Sequence, residues 1–122
     1  MKYEIKGNMF PIVECHLMKG EQVLAESGAM VWMTPNMEMA TSGGGVGKVF
    51  SKMISGEKMF QNIYTANGDG MVVFGSSFPG KILAVEIGAG KEIIIQKGAF
   101  LASEMGVELS VHFNKKIGVG LF

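Results

Sequence analysis

The chain has 122 residues, of which 48% are hydrophobic, with eleven Asp and Glu balancing eleven basic residues and no net charge. That length supports one domain with a real core and excludes two independent ones. All the basic residues are Lys, so the guanidinium fork that grips phosphate in pairs is missing and no dense cationic face builds up, which argues against nucleic acid as a partner.

The N-terminal stretch "MKYEIKGNMF" lacks the apolar core of a signal peptide, and no run reaches the roughly 18 apolar residues of a spanning helix, so a cytoplasmic protein without an integral membrane segment is expected. Strand-length runs then follow one another: "PIVECHLM", "QVLAES", "AMVWM", "NMEMAT", "FQNIYTA", "GMVVFG", "KILAVEI", "KEIIIQ", "FLAS", "GVELSVHF" and "IGVGLF". They are separated by Gly, Asn, Asp, Ser or Pro at intervals of about ten residues, the pattern of an all-β protein. Between "FQNIYT" and "MVVFG" the dipeptides Asn67-Gly68 and Asp69-Gly70 predict a β-hairpin. In "GKVFSKMIS" the apolar residues Val49, Phe50, Met53 and Ile54 recur at helical spacing and predict one short helix.

Eighteen glycines suit many tight turns, as in β-helical and barrel folds. Eleven methionines read mainly as core filler, and the surplus apolarity favours a buried interface between subunits. Cys15 is alone, so no intrachain disulfide forms and a reducing compartment is expected. In an alternating run it reads as a buried structural thiol, with His16 on the opposite face of the same strand.

The sequence repeats. Ile12 to Thr41 lies over Ile82 to Val111 without a gap, and Ile12, Gly20, Gly28, Ala29 and Glu38 meet Ile82, Gly90, Gly98, Ala99 and Glu108. Apolar pairs coincide as well, Val23-Leu24 with Ile93-Ile94 and Met30-Val31 with Phe100-Leu101, so one turn and core plan serves both copies. This divides a single β domain into a first unit, residues 1–78, and a second, incomplete unit, residues 79–122. The apolar ending "IGVGLF" predicts a truncated product or a terminal strand that pairs with another element or subunit.

Four candidate chemistries need weighing. "SGGGVGKV" is a glycine-rich turn ahead of a helix start, where amides attract anions. It misses the phosphate-loop pattern, with Ser42 in place of the first Gly and Val49 in place of the magnesium-binding hydroxyl. Gly43, Gly44, Gly45, Gly47 and Lys48 remain the alternative reading, a small-molecule or anion site. A metal centre would need several convergent His and carboxylate ligands, and the chain has only His16, which shares a strand face with Glu14, and His112. Neither a metal nor another cofactor is expected. Glu38 and Glu108 recur between apolar neighbours, face outward, and suit solvent-facing strand positions or polar contacts between subunits. Trp32 reads as a packing residue with one polar edge, and its partner in the second copy is Ala102, so it marks an interface where the two units or subunits are not equivalent.

At "SGEKMFQNIYTA", "GDGMVVFGSSFPGKILAVEI" and "KEIIIQKGAFLAS" the chain resembles the altered-inheritance-of-mitochondria family, bacterial proteins of unknown function. The resemblance implies side-by-side double-stranded β-helix-like units similar to the trp RNA-binding attenuation protein, assembled as homo-oligomers such as trimers, and no catalytic residue. The combined expectation is a non-enzymatic oligomeric β-helical scaffold or binding protein in the cytoplasm.

Overall fold

A computed structural model of the chain describes residues 1–41, 61–96 and 98–110. Alternation organises it. In "IVECHL" the side chains of Val13, Cys15 and Leu17 are buried, while those of Ile12, Glu14 and His16 point the other way, the period-two signature of a strand with one face on a core. The strands are β1 (Lys2–Lys6), β2 (Ile12–Leu17), β3 (Gln22–Glu26), β4 (Met30–Met33), β5 (Met37–Thr41), β6 (Gln61–Ala66), β7 (Gly70–Gly75) and β8 (Ala102–Glu104). All regular structure among the described residues is β.

Two four-stranded antiparallel sheets result, β1-β2-β7-β4 and β5-β6-β3-β8. Their inner faces close on one apolar cluster. Val13, Cys15, Leu17, Val72 and Phe74 come from the first sheet, and Val23, Ala25, Met37, Tyr64 and Ala66 from the second. The rings of Tyr64 and Phe74 meet edge to face across it, with centroids 5.2 Å apart. Each large side chain fully buried here contributes about 1.5–3 kcal/mol. Leu24 and Ile63 point to the outer face of the second sheet, where Phe100, Met105 and Leu109 cover them.

The hairpin expected at Asn67–Gly70 does not form. β6 lies between β5 and β3 in one sheet, and β7 lies between β2 and β4 in the other, so "ANGD" carries the chain across a corner between sheets. A type I′ hairpin turn needs positive φ at both central residues, and none of residues 67–70 has it. β2 to β3 and β4 to β5 cross between the sheets in the same way, and the three corners are tied together. Gly20 N donates to Ala66 O (2.8 Å), Ala66 N to Glu21 O (3.0 Å), Asn67 N to Asn36 O (2.9 Å) and Thr34 N to Met71 O (2.9 Å).

Three further expectations meet the structure differently. β1 was not among the predicted strands, although Tyr3 and Ile5 alternate with Lys and Glu; it is an exposed edge strand whose weak apolar pattern gave little signal. "KILAVEI" and "KEIIIQ" form no ladder, and of "FLAS" only the end joins β8. The short helix and "IGVGLF" fall outside the described residues.

Turn geometry, by contrast, recurs at the spacing of the sequence repeat. Glu21 N donates to Met18 O, Ala29 N to Glu26 O and Met37 N to Thr34 O; seventy residues on, Lys91 N donates to Gly88 O, Ala99 N to Gln96 O and Val107 N to Glu104 O. Gly20 and Gly90 both have positive φ (89° and 76°), as do Gly28 and Gly98 (85° and 93°), the left-handed conformation that only glycine adopts at little cost.

Gly70 carries the tightest packing at the corners. A Cβ there would lie 2.7 Å from Asn36 Oδ1, 2.9 Å from Thr34 Oγ1 and 3.0 Å from Met37 Sδ. Gly70→Ala is therefore expected to lower unfolding free energy by about 1–3 kcal/mol, the usual cost of overpacking. Gly106→Ala, where an added Cβ meets nothing within 4 Å, should stay within about 0.5 kcal/mol. Urea denaturation of the two variants checks the pair.

Candidate functional site

Trp32 stands on the outer face of the first sheet because of a β-bulge. β4 pairs Met30 with Phe74 and then Trp32, not Val31, with Val73, and Met33 with Val72. Without the bulge Trp32 would share the inward face with Met30. The extra residue, Val31, reverses the alternation, so Met30 and Met33 both pack on the core while Val31 and Trp32 are exposed. The expectation that Trp32 serves as a packing residue is corrected accordingly: the residue is 45% exposed, directly opposite a completely buried Val73.

The same outer face carries the charged residues of β1 and β2. Glu14 sits opposite Val73 on one side and Glu4 on the other. Glu14 Oε1 lies 3.2 Å from Lys6 Nζ and 3.9 Å from His16 Nε2. The shared face of Glu14 and His16 is as the spacing requires, and Lys6, a diagonal neighbour from β1, already occupies the carboxylate. Among the described residues no group of three His, Cys, Asp or Glu side chains is placed to hold a metal ion.

Glu38 has a structural use. On the outer face of the second sheet, its Oε2 accepts a 2.5 Å hydrogen bond from Asn67 Nδ2, fixing the β6–β7 corner to β5. Beside it, Thr34, Pro35, Asn36 and Met37 form a turn with Pro35 at the second position, where its fixed φ fits. Thr34 Oγ1 accepts from Met71 N (3.0 Å) and donates to Asn36 Oδ1 (2.6 Å), and Asn36 Nδ2 donates to Asp69 O (2.7 Å). These residues carry no signal in the sequence beyond turn chemistry, because Met71 and Asp69 lie more than thirty positions away. Glu108 is exposed on the segment that covers the second sheet. Trp32, Glu38 and Glu108 are thus not one site: Trp32 faces out from one sheet and Glu38 from the other. Gly43, Gly44, Gly45, Gly47 and Lys48 lie outside the described residues.

Cys15 is buried, 2% exposed, and burial pushes its thiol up to about 11, the behaviour of an inert core thiol. A recess of about 280 Å³ opens between the β1–β2 hairpin and the chain after β7, lined by Ile5, Gly7, Asn8, Pro11, Lys81 and Ile82. Its lining mixes apolar Ile5, Pro11 and Ile82 with polar Asn8 and Lys81. No helix among the described residues is long and apolar enough to cross a membrane.

Comparison with known proteins places this geometry among relatives. The family described as mitochondrial biogenesis AIM24 matches residues 3–122. An uncharacterised protein of Streptococcus pyogenes serotype M6 is 34% identical over 131 residues, an alignment covering 100% of this chain and 52% of that protein. The X-ray crystal structure of a Streptococcus pyogenes protein superposes with a TM-score of 0.68 at 35% identity, over 85% of this chain and 50% of that one. The chain therefore spans about half the length of the relatives it matches.

Two carboxylates shift in opposite directions and yield a pH test. Glu21 is held below the usual carboxylate range by the backbone amide of Met18 and by the N-terminal ammonium, 2.7 and 3.2 Å away, whereas burial raises Glu26. The contribution of Glu21 is present above its unfolded pKa and is lost as pH falls through the lower folded value; that of Glu26 is present below its unfolded pKa and lost as pH rises through the higher folded one. Melting temperatures between pH 3 and 7 should therefore show Glu21→Gln flattening the loss of stability on acidification, and Glu26→Gln relatively more stable than the parent at pH 7. Cys15 should resist iodoacetamide at pH 8 until the chain is unfolded, as read by intact mass.

Proposed function

The chain belongs to the mitochondrial biogenesis AIM24 family, and from that membership we propose that it works without catalysis, as a self-associating β scaffold or binding module that acts through its surfaces. The observation that carries this reading is the exposed apolar strip on β4. Val31 and Trp32 stand side by side on an edge strand whose outer backbone groups have no ladder partner among the described residues. Edge strands that remain single usually carry charge or proline as protection. β4 carries Met-Val-Trp-Met instead, a composition suited to burial against another subunit, where Trp is enriched at the centres of interfaces.

Two features support a non-catalytic role. The thiol that a nucleophilic mechanism would use is buried and hard to ionise, and the carboxylate beside His16 is engaged by Lys6. The double-stranded β-helix-like and tandem-unit architecture belongs to the same proposal, supported by the turns that recur at seventy residues.

Light scattering coupled to size exclusion at micromolar concentration should give a mass that is a multiple of 13.1 kDa. Trp32→Lys should lower that mass at unchanged far-UV circular dichroism. A monomeric parent chain across the range sinks the self-association reading.

A further inference from the structure

Asn67 is the one asparagine of the chain that precedes a glycine; Asn8, Asn36, Asn62 and Asn114 precede Met, Met, Ile and Lys. An Asn-Gly pair is the least hindered setting for attack of a main-chain amide on a side-chain amide, because the glycine brings no Cβ against the incoming carbonyl. The β6–β7 corner holds both reactants. Gly68 N, the nucleophile, makes no backbone hydrogen bond among the described residues. Asn67, whose Cγ is the electrophile, is exposed, and its Nδ2 lies 2.5 Å from Glu38 Oε2.

The neighbouring groups are shut out of the same chemistry. Asn62 is buried and is followed by the β-branched Ile63. Asn36 has both polar atoms of its side chain engaged, Oδ1 by Thr34 Oγ1 and Nδ2 by Asp69 O. Asp69-Gly70 would close the equivalent ring with loss of water, but Gly70 is fixed in β7 opposite Leu17. Among the described residues, Asn67 alone combines exposure, a following glycine and a main-chain amide free to attack.

We propose that Asn67 is a site of spontaneous deamidation and that Glu38 holds the reaction back. Gly68 N gives its proton to hydroxide and bonds to Asn67 Cγ; Nδ2 takes a proton from water, the Cγ–Nδ2 bond breaks and ammonia leaves. Water then opens the cyclic imide. Breaking its bond to Cγ gives aspartate, and breaking its bond to the main-chain carbonyl carbon gives isoaspartate, whose chain runs through Cβ and Cγ. Water is the only co-reactant and no electrons are transferred. Ring closure requires Cγ to turn toward Gly68 N, so the rate scales with the fraction of molecules in which the Asn67–Glu38 bond is open.

The product acts on the corner itself. Either form puts a carboxylate where an N–H donor faced Glu38, and two like charges at that distance repel. Isoaspartate also adds a methylene to the main chain between Asn67 N, which donates to Asn36 O, and Gly70, where a single added carbon would meet Asn36 Oδ1 at 2.7 Å. Deamidation thus releases the β6–β7 corner from β5 in one direction only, since ammonia is lost.

Intact mass and peptide mapping of the chain held at pH 8 and 37 °C test this. The first gain of one mass unit should fall on Asn67, with isoaspartate read by methyltransferase labelling, and the rate should rise with pH. Glu38→Ala should speed the gain roughly three- to tenfold, the worth of one exposed hydrogen bond. Glu38→Gln keeps an acceptor without the charge and should fall between the two. Gly68→Ala should slow the reaction. In the product mimic Asn67→Asp, hydrogen exchange of residues 34–38 should quicken while that of β2 stays as in the parent. A first mass gain at another asparagine overturns the proposal, as does a parent rate equal to that of the urea-unfolded chain or of Glu38→Ala. If Glu38→Ala does not fold, a Glu38→Gln rate no faster than the parent's overturns it equally. Unchanged exchange in Asn67→Asp overturns the release of the corner.

Discussion

The fold depends on three of the corners at which the chain passes from one sheet to the other, those from β2 to β3, β4 to β5 and β6 to β7. Each corner alone is a short turn with few contacts of its own. Together they share four backbone hydrogen bonds and the side-chain bonds of Thr34 and Asn36, so each corner's amides are satisfied by the next. The arrangement leaves no room at Gly70, and it sets the separation at which Tyr64 of one sheet meets Phe74 of the other. Core packing and corner hydrogen bonding are thus one constraint: a shift of either sheet breaks both.

Surface character follows from a second, smaller device. A single extra residue in β4 moves Trp32 from the inward to the outward row and leaves an apolar pair on an edge that is unpaired among the described residues. A bulge costs ladder regularity, and its effect here is to expose Val31 and Trp32. The candidate interaction surface is therefore a product of backbone irregularity at one position. Glu38 shows the opposite outcome: an outward carboxylate that looks available is bound to Asn67 of its own chain.

Residues 12–41 and 82–111, aligned at an offset of seventy, show how far local sequence acts alone. Glycines at equivalent positions take the left-handed conformation and close the same turns in both. Turn closure needs only residues within four positions of each other. Val13, Val23 and Leu24 have ladder partners on β6 and β7 and are buried, whereas Leu83, Ile93 and Ile94 have none among the described residues and are exposed. A ladder is a long-range contact, and a strand-forming pattern by itself does not supply it.

Sequence alone established the all-β class, the strand positions from "IVECHL" to "MVVFG", the burial of Cys15, the shared face of Glu14 and His16, and the turn glycines, because each follows from alternation or from one residue's backbone freedom. Family membership was legible too, since it rests on strings such as "QKGAFLAS" that need no geometry. Only the tertiary structure decided that Asn67–Gly70 bridges two sheets instead of closing a hairpin, that Trp32 faces outward, and that Glu38 is occupied. Those three outcomes turn on partners twenty-nine or more residues distant or on one bulged residue. Neither leaves a mark in the period of the hydrophobic pattern, which reports which residues share a face and is silent on what that face will meet.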